Sequence, residues 1–80
     1  MQETIINAFK QGLFFRVIRR DKIAEGNTIE YIFKPFSVEC WETGKIKMEG
    51  VNGTMTISDV SKIKNLEVDV DSREIRIYIK

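Results

Sequence analysis

Period-two alternation governs this chain from Leu13 almost to its end. In Thr28 to Lys34, Ile29, Tyr31 and Phe33 alternate with Thr28, Glu30 and Lys34, and Ile32 alone breaks the polar side. Phe36, Val38 and Cys40 alternate with Ser37, Glu39 and Trp41, while Ile46 and Met48 share one side of Lys45 to Val51. Leu66, Val68 and Val70 alternate with Glu67, Asp69 and Asp71, then Ile75, Ile77 and Ile79 with Glu74, Arg76, Tyr78 and Lys80. Successive side chains of a strand point to opposite faces, so each segment buries one face and shows the other to water. A helix could not gather these apolar residues on one side. Helical spacing is confined to Gln2 to Gln11, where Ile5, Ile6, Ala8, Phe9 and the following Leu13 share one side of the wheel, and Gly12 is placed to end the helix.

Turn residues separate the strands. Gly26-Asn27 closes a polar connection that begins at Asp21, and Pro35, which cannot donate to a ladder, marks an edge position or a bend, a sharp corner, between Phe33 and a strand over 36–42. Glu42-Thr43-Gly44-Lys45 suits a short hairpin with glycine at a left-handed bulge, and Asn52-Gly53 a second tight turn before Thr54 to Ile57. Ser58 or Asp59 is set to cap one helical turn carrying Val60 and Ile63, and Ser72-Arg73 lies near the last reversal. One helix and about seven short strands fit one domain, residues 1–80, with a single core. The expected architecture is mostly β with an N-terminal helix: a twisted, SH3-like or Sm-like antiparallel barrel rather than a two-sheet sandwich. Residues 66–80 read as a C-terminal β-hairpin, either within the barrel or extending it.

Catalysis finds little support. The chain has no histidine, which removes the commonest general base and the usual metal ligand together. Cys40, the one cysteine, excludes an internal disulfide and a cysteine-based zinc site, and its phase with Phe36 and Val38 makes it a core residue rather than a reactive thiol. Glu67, Asp69 and Asp71 share one strand face, as a hard-cation site or as an ordinary solvated face; no calcium or phosphate loop accompanies them, and the solvated face is the reading adopted. No catalytic residue, metal ligand or cofactor is assigned, and a non-enzymatic protein is expected. The start of the chain lacks a basic segment leading into an apolar run, and no run approaches the roughly 18 apolar residues of a membrane span, so a cytoplasmic setting is expected.

Charge is balanced overall, 13 Lys and Arg against 12 Asp and Glu, so electrostatic partners must be sought locally. Between Lys10 and Lys22 stand Lys10, Arg16, Arg19, Arg20 and Lys22 against Asp21 alone, whereas Glu67 to Glu74 holds four acids against Arg73. Arg16, Arg19, Arg20 and Lys22, mixed with Phe14 and Phe15, could contact phosphates while the rings stack on bases. A basic edge strand also guards against aggregation, and a basic strand facing an acidic one would fix register with a partner or a second copy. Trp41 falls on the outward side of its strand, and Tyr78 lies opposite its own apolar face; together they form a candidate partner-binding patch. The competing reading covers Trp41 with the helix or the C-terminal hairpin as a second small core.

The order of elements resembles the core of the WYL domain, a bacterial SH3-like or Sm-like module often attached to DNA-binding regulators. Lys34 to Val38, with Pro35-Phe36-Ser37-Val38, matches the family's strand ending best, and Gly44 to Gly50 and Met55 to Ile63 occupy the places of its later strands and helical turn. The likeness spans roughly residues 2 to 65. Ile46, Lys47 and Met48 stand where the Trp-Tyr-Leu motif would lie, and no arginine occurs between Arg20 and Arg73, so no functional residue is carried over. A helix followed by a compact barrel is also similar to the bacterial Sm-like RNA chaperones. The resemblance implies a fold more than an activity. The expected function is a non-enzymatic interaction or regulatory module that binds a protein partner or itself through the outward aromatic patch of Trp41 and Tyr78. The alternative is weak binding of single-stranded nucleic acid along residues 10–22.

Overall fold

The computed structural model describes every residue from Met1 to Lys80. Helix α1 (Gln2–Lys10) ends where the sequence provides glycine: Gly12 N–H donates to Phe9 C=O at 3.0 Å and Leu13 N–H to Ala8 C=O at 3.1 Å, with Gly12 at φ +71°. This pair of bonds is a Schellman cap, and a residue without Cβ holds its left-handed position at little cost. Leu13, just past the cap, is buried with Ile5 and Ala8 of the helix. Seven strands follow: β1 (Phe14–Arg20), β2 (Thr28–Phe33), β3 (Ser37–Cys40), β4 (Ile46–Gly50), β5 (Gly53–Ile57), β6 (Ile63–Asp69) and β7 (Glu74–Ile79), with a 3-10 turn at Val60–Lys62 before β6. No helix is long and apolar enough to cross a membrane.

The domain is mostly β, but the strands form two open sheets and not a closed barrel. One has the order β2-β1-β7-β6, the other β3-β4-β5. All neighbours are antiparallel except β1 and β7, which run parallel with Phe15 beside Ile75 and Val17 beside Ile77. The expected SH3-like or Sm-like antiparallel barrel is corrected on both counts. The C-terminal hairpin is not an extension either, because β7 lies inside the four-stranded sheet between β1 and β6. Alternation fixes which face of a strand meets the core, and a tight turn fixes which sequence neighbours pair; neither specifies that the first strand will lie beside the last. A parallel pair needs a long connection, and here the whole three-stranded sheet is part of it.

The two sheets and the helix share one core. Phe15 and Val17 of β1 and Ile75 and Ile77 of β7 meet Ile46 and Met48 of β4, Ile57 of β5 and Ile5 of α1, with Phe33, Val38, Cys40 and Leu66 at its margin. The chain passes between sheets at the corner that Pro35 marks: Pro35 is buried, and Phe36 N–H donates to Glu49 C=O at 2.9 Å. Phe36 itself, placed inward by alternation, precedes β3 and is 63% exposed. Val68 and Val70 are exposed as well, Val68 on the edge strand β6, where three strands and a helix no longer cover a four-stranded face, and Val70 in the turn beyond it.

Gly44 turns the β3–β4 hairpin at φ +97°, as the spacing of Thr43-Gly44 predicts. A Cβ there would stand 3.1 Å from Asp59 Oδ1, whose carboxylate accepts from Ser61 N–H at 2.8 Å and so caps the 3-10 turn. That bond, above all, holds the Asp59 carboxyl below the usual carboxylate range. Gly44→Ala meets both a left-handed backbone and this fixed oxygen, and is expected to cost about 1 to 3 kcal/mol of stability, read from chemical denaturation. A loss below a few tenths of a kcal/mol would mean that the hairpin and the turn are not locked together. The second tight turn is centred one residue early: Gly50 pairs with Gly53 around Val51-Asn52, and the positive φ, +144°, falls on Gly53.

Candidate interaction site between the edges of the two sheets

The sequence-predicted residues do not form one surface. Trp41 sits in the β3–β4 turn, 38% exposed, with Lys45 Nζ 5.2 Å from its ring centroid. Its backbone is anchored: Trp41 C=O accepts from Gln2 Nε2 at 3.1 Å and from Gly44 N–H at 3.0 Å, which ties the turn to the start of the helix. Tyr78 belongs to the other sheet. It is half-buried on the outer face of β7, and its hydroxyl donates to Glu67 Oε2 at 3.4 Å.

The basic segment is divided by the pleat of β1. Arg16 shares the outer face with Phe14 and Ile18, whereas Arg19 lies in the phase of Phe15 and Val17, toward the second sheet. Arg20 and Lys22 are exposed at and beyond the end of β1, and neither enters an ion pair.

On the outer face the parallel register sets Arg16 directly beside Arg76, a pairing of like charges that would repel if left alone. Glu74, 7% exposed, separates them: its carboxylate accepts from Arg16 Nε at 3.2 Å and from Arg76 Nε at 2.8 Å. Glu30 of β2 completes Arg16 at 3.4 Å, and Asp69 and Glu67 of β6 complete Arg76 at 2.9 and 3.4 Å. One ladder of charge therefore crosses all four strands. The Glu74 bond contributes most to holding Arg16 above its ordinary value, and the Asp69 bond most to raising Arg76. Asp69 is held low chiefly by Ser72 N–H and then by Arg76. Two of the three acids read as a solvated face thus serve Arg76. Burial pushes the Cys40 thiol up, in keeping with its packing against the core.

Sequence reasoning missed the groove where the two sheets fail to close. β2 and β5 are edge strands of different sheets, each with a single hydrogen-bonded neighbour. The space between them is a groove of about 600 Å³ toward Lys34 and Val51, continued by about 280 Å³ toward Arg19 and Lys62, with Tyr31 and Met55 lining both parts. Tyr31 and Phe33 of β2 and Met55 of β5 belong to the inner phase of their strands, so the groove is an uncovered margin of the core. Ile32, on the outer side of the β2 edge, is 56% exposed. The only signal in the sequence was Ile32 itself, the apolar residue that interrupts the polar side of its strand.

Comparison with known proteins identifies no relative. No family model, curated protein or solved structure matches the chain. At the smaller end, Arg19 Nη2 donates to the Tyr31 hydroxyl at 3.1 Å, and its guanidinium carbon lies 5.8 Å from the ring centroid. Lys62 stands on the 3-10 turn across from it, and neither cation enters an ion pair, although the field of Lys62 reaches Asp59. Thr56 and Ser58 also line this end, and Met55 and Ile79 form its accessible apolar wall over the nearly buried Val17 and Ile57.

Proposed function

We propose that this protein is a non-enzymatic interaction module that takes a protein partner as an extended segment laid along the β2 edge, over the groove shared with β5. The observation that carries this reading is the pair of unpaired strand edges flanking an apolar floor of Tyr31, Phe33 and Met55. An edge strand offers free main-chain donors and acceptors, and pockets beneath it accept alternate side chains of an added strand. Natural edges are usually blunted by proline or inward charge, and β2 has neither along Thr28 to Phe33. Nucleic-acid binding along residues 10–22 draws less support, because Arg16 is already engaged by Glu74 and Glu30 and Arg19 lies on the opposite face of β1.

The reading is tested by selecting binders from a random heptapeptide library on the intact chain and mapping them by amide chemical shift and hydrogen exchange. Selected peptides are expected to protect amides of β2 and to lose at least about tenfold in affinity to Tyr31→Ala, as truncation of an interface anchor does. Binders that leave β2 and β5 unaffected while responding to Trp41→Ala would move the site to the β3–β4 turn. Failure to select any binder would count against a peptide-binding module.

A further inference from the structure

Resting on that reading, we infer that the Arg19–Lys62 end of the groove captures the free α-carboxylate of a partner's C-terminal residue, whose aliphatic side chain fills the space beside it. The chemistry at this end differs from the rest of the groove. Two cations without a paired acid, Arg19 and Lys62, line a space of about 280 Å³ together with Thr56 and Ser58. The two arginines that enter ion pairs, Arg16 and Arg76, each have at least two acids at hand, whereas the side-chain partner of Arg19 is a tyrosine. Its bond to the Tyr31 hydroxyl and its position over the ring use one side of the guanidinium and preorganise the remaining donors.

An anion placed here would gain charge-assisted hydrogen bonds, which are roughly twice as strong as neutral ones. Ile79, Met55 and the Tyr31 ring, the apolar lining that still reaches solvent above the nearly buried Val17 and Ile57, decide which anion. A bare phosphate would leave these apolar walls in contact with water, whereas a terminal aliphatic residue presents a carboxylate and a hydrocarbon group on adjacent atoms. The topology favours a chain end over an internal acid. The 3-10 turn that carries Lys62 follows β5 and is fastened to the end of the last strand by Lys80 N–H donating to Lys62 C=O at 2.9 Å. A segment running along β2 toward this end meets that turn, and a chain that stops there offers its carboxylate to the two cations.

The experiment compares two forms of one peptide library, randomised over its last four positions and ending either in a free acid or in a carboxamide, by fluorescence polarisation on the full chain. The expected result is selection of Val, Leu or Ile at the last position, with the acid bound at least about tenfold tighter than its amide. Arg19→Gln, and separately Lys62→Gln on the exposed turn, should bring acid and amide to within about twofold of one another while the β2 amides still respond, the charge-assisted bonds having been removed. Acid and amide forms that bind equally while shifting β2 and β5 would overturn carboxylate capture and leave strand addition standing. Absence of binding by both forms would overturn the two together.

Discussion

Phe15→Ala is expected to lower stability by about 3 to 5 kcal/mol, the range for deleting a large aromatic ring from a packed interior. Phe15 is fully buried at the start of β1, with Phe33 and Ile75 as its cross-strand neighbours. Its ring centroid lies 6.0 Å from that of Phe33 at 45°, a tilted pair of the kind that adds to simple burial. The three-stranded sheet covers this side of β1, so truncation opens a cavity whose walls belong to two sheets that are not hydrogen-bonded to each other. Stability of about 0.05 to 0.15 kcal/mol per residue gives a domain of this size roughly 4 to 12 kcal/mol in all. The variant should therefore melt at least about 12 °C lower, and at the lower end of that range it should be largely unfolded at 37 °C. A drop of less than about 4 °C would show that the two sheets do not depend on one another through Phe15.

The parts of the fold legible in the sequence were those that local physics dictates. Helix α1 and its stop at Gly12 follow from apolar spacing and one positive φ, and the β3–β4 hairpin follows from Gly44. The corner at Pro35 follows from the missing N–H. What alternation could not express is long-range pairing. Phe15 and Ile75 are both assigned to a core by their phase, yet nothing local states that they belong to parallel neighbours. Alternation also assumes that a covering layer exists wherever an apolar residue points. Val68 obeys its phase and is exposed all the same, because β6 is an edge and the second sheet has only three strands.

The site was less legible, for a related reason. The groove exists because β2 and β5 do not pair, and a sequence records what each strand is, not which pairings are left unmade. Arg19 illustrates the difference. In the linear sequence it belongs with Arg16 and Arg20 in a basic cluster; in the fold, one residue of phase separates it from Arg16 and sends it to the inner side. Arg16 joins acids from β2 and β7, and Arg19 joins Tyr31 beside the groove. The charge asymmetry between residues 10–22 and 67–74 has an internal explanation in part: the parallel pairing of β1 with β7 brings Arg16 to Glu74.

That contact sets the second large effect. Glu74→Ala is expected to destabilise the domain by about 2 kcal/mol, in the range of charge-assisted hydrogen bonds lost from a buried acceptor. The Glu74 side chain is 9% exposed and is the only carboxylate that touches both Arg16 and Arg76. Its removal leaves two guanidinium groups side by side in register across a parallel pair. The loss should fall short of the roughly 3 to 5 kcal/mol typical of breaking a fully buried pair, because both arginines reach solvent and keep other acids, Glu30 for one and Asp69 and Glu67 for the other. Glu74→Gln retains the shape and one acceptor oxygen and should recover part of the loss. Urea denaturation separates the outcomes: the midpoint should fall while the slope stays constant, since the surface exposed on unfolding is unchanged. In the Arg16→Met background the same Glu74→Ala change should cost measurably less, because the like-charge pair no longer exists. Equal losses in the two backgrounds would mean that Glu74 acts through Arg76 alone, and that the ladder is not what holds β1 to β7.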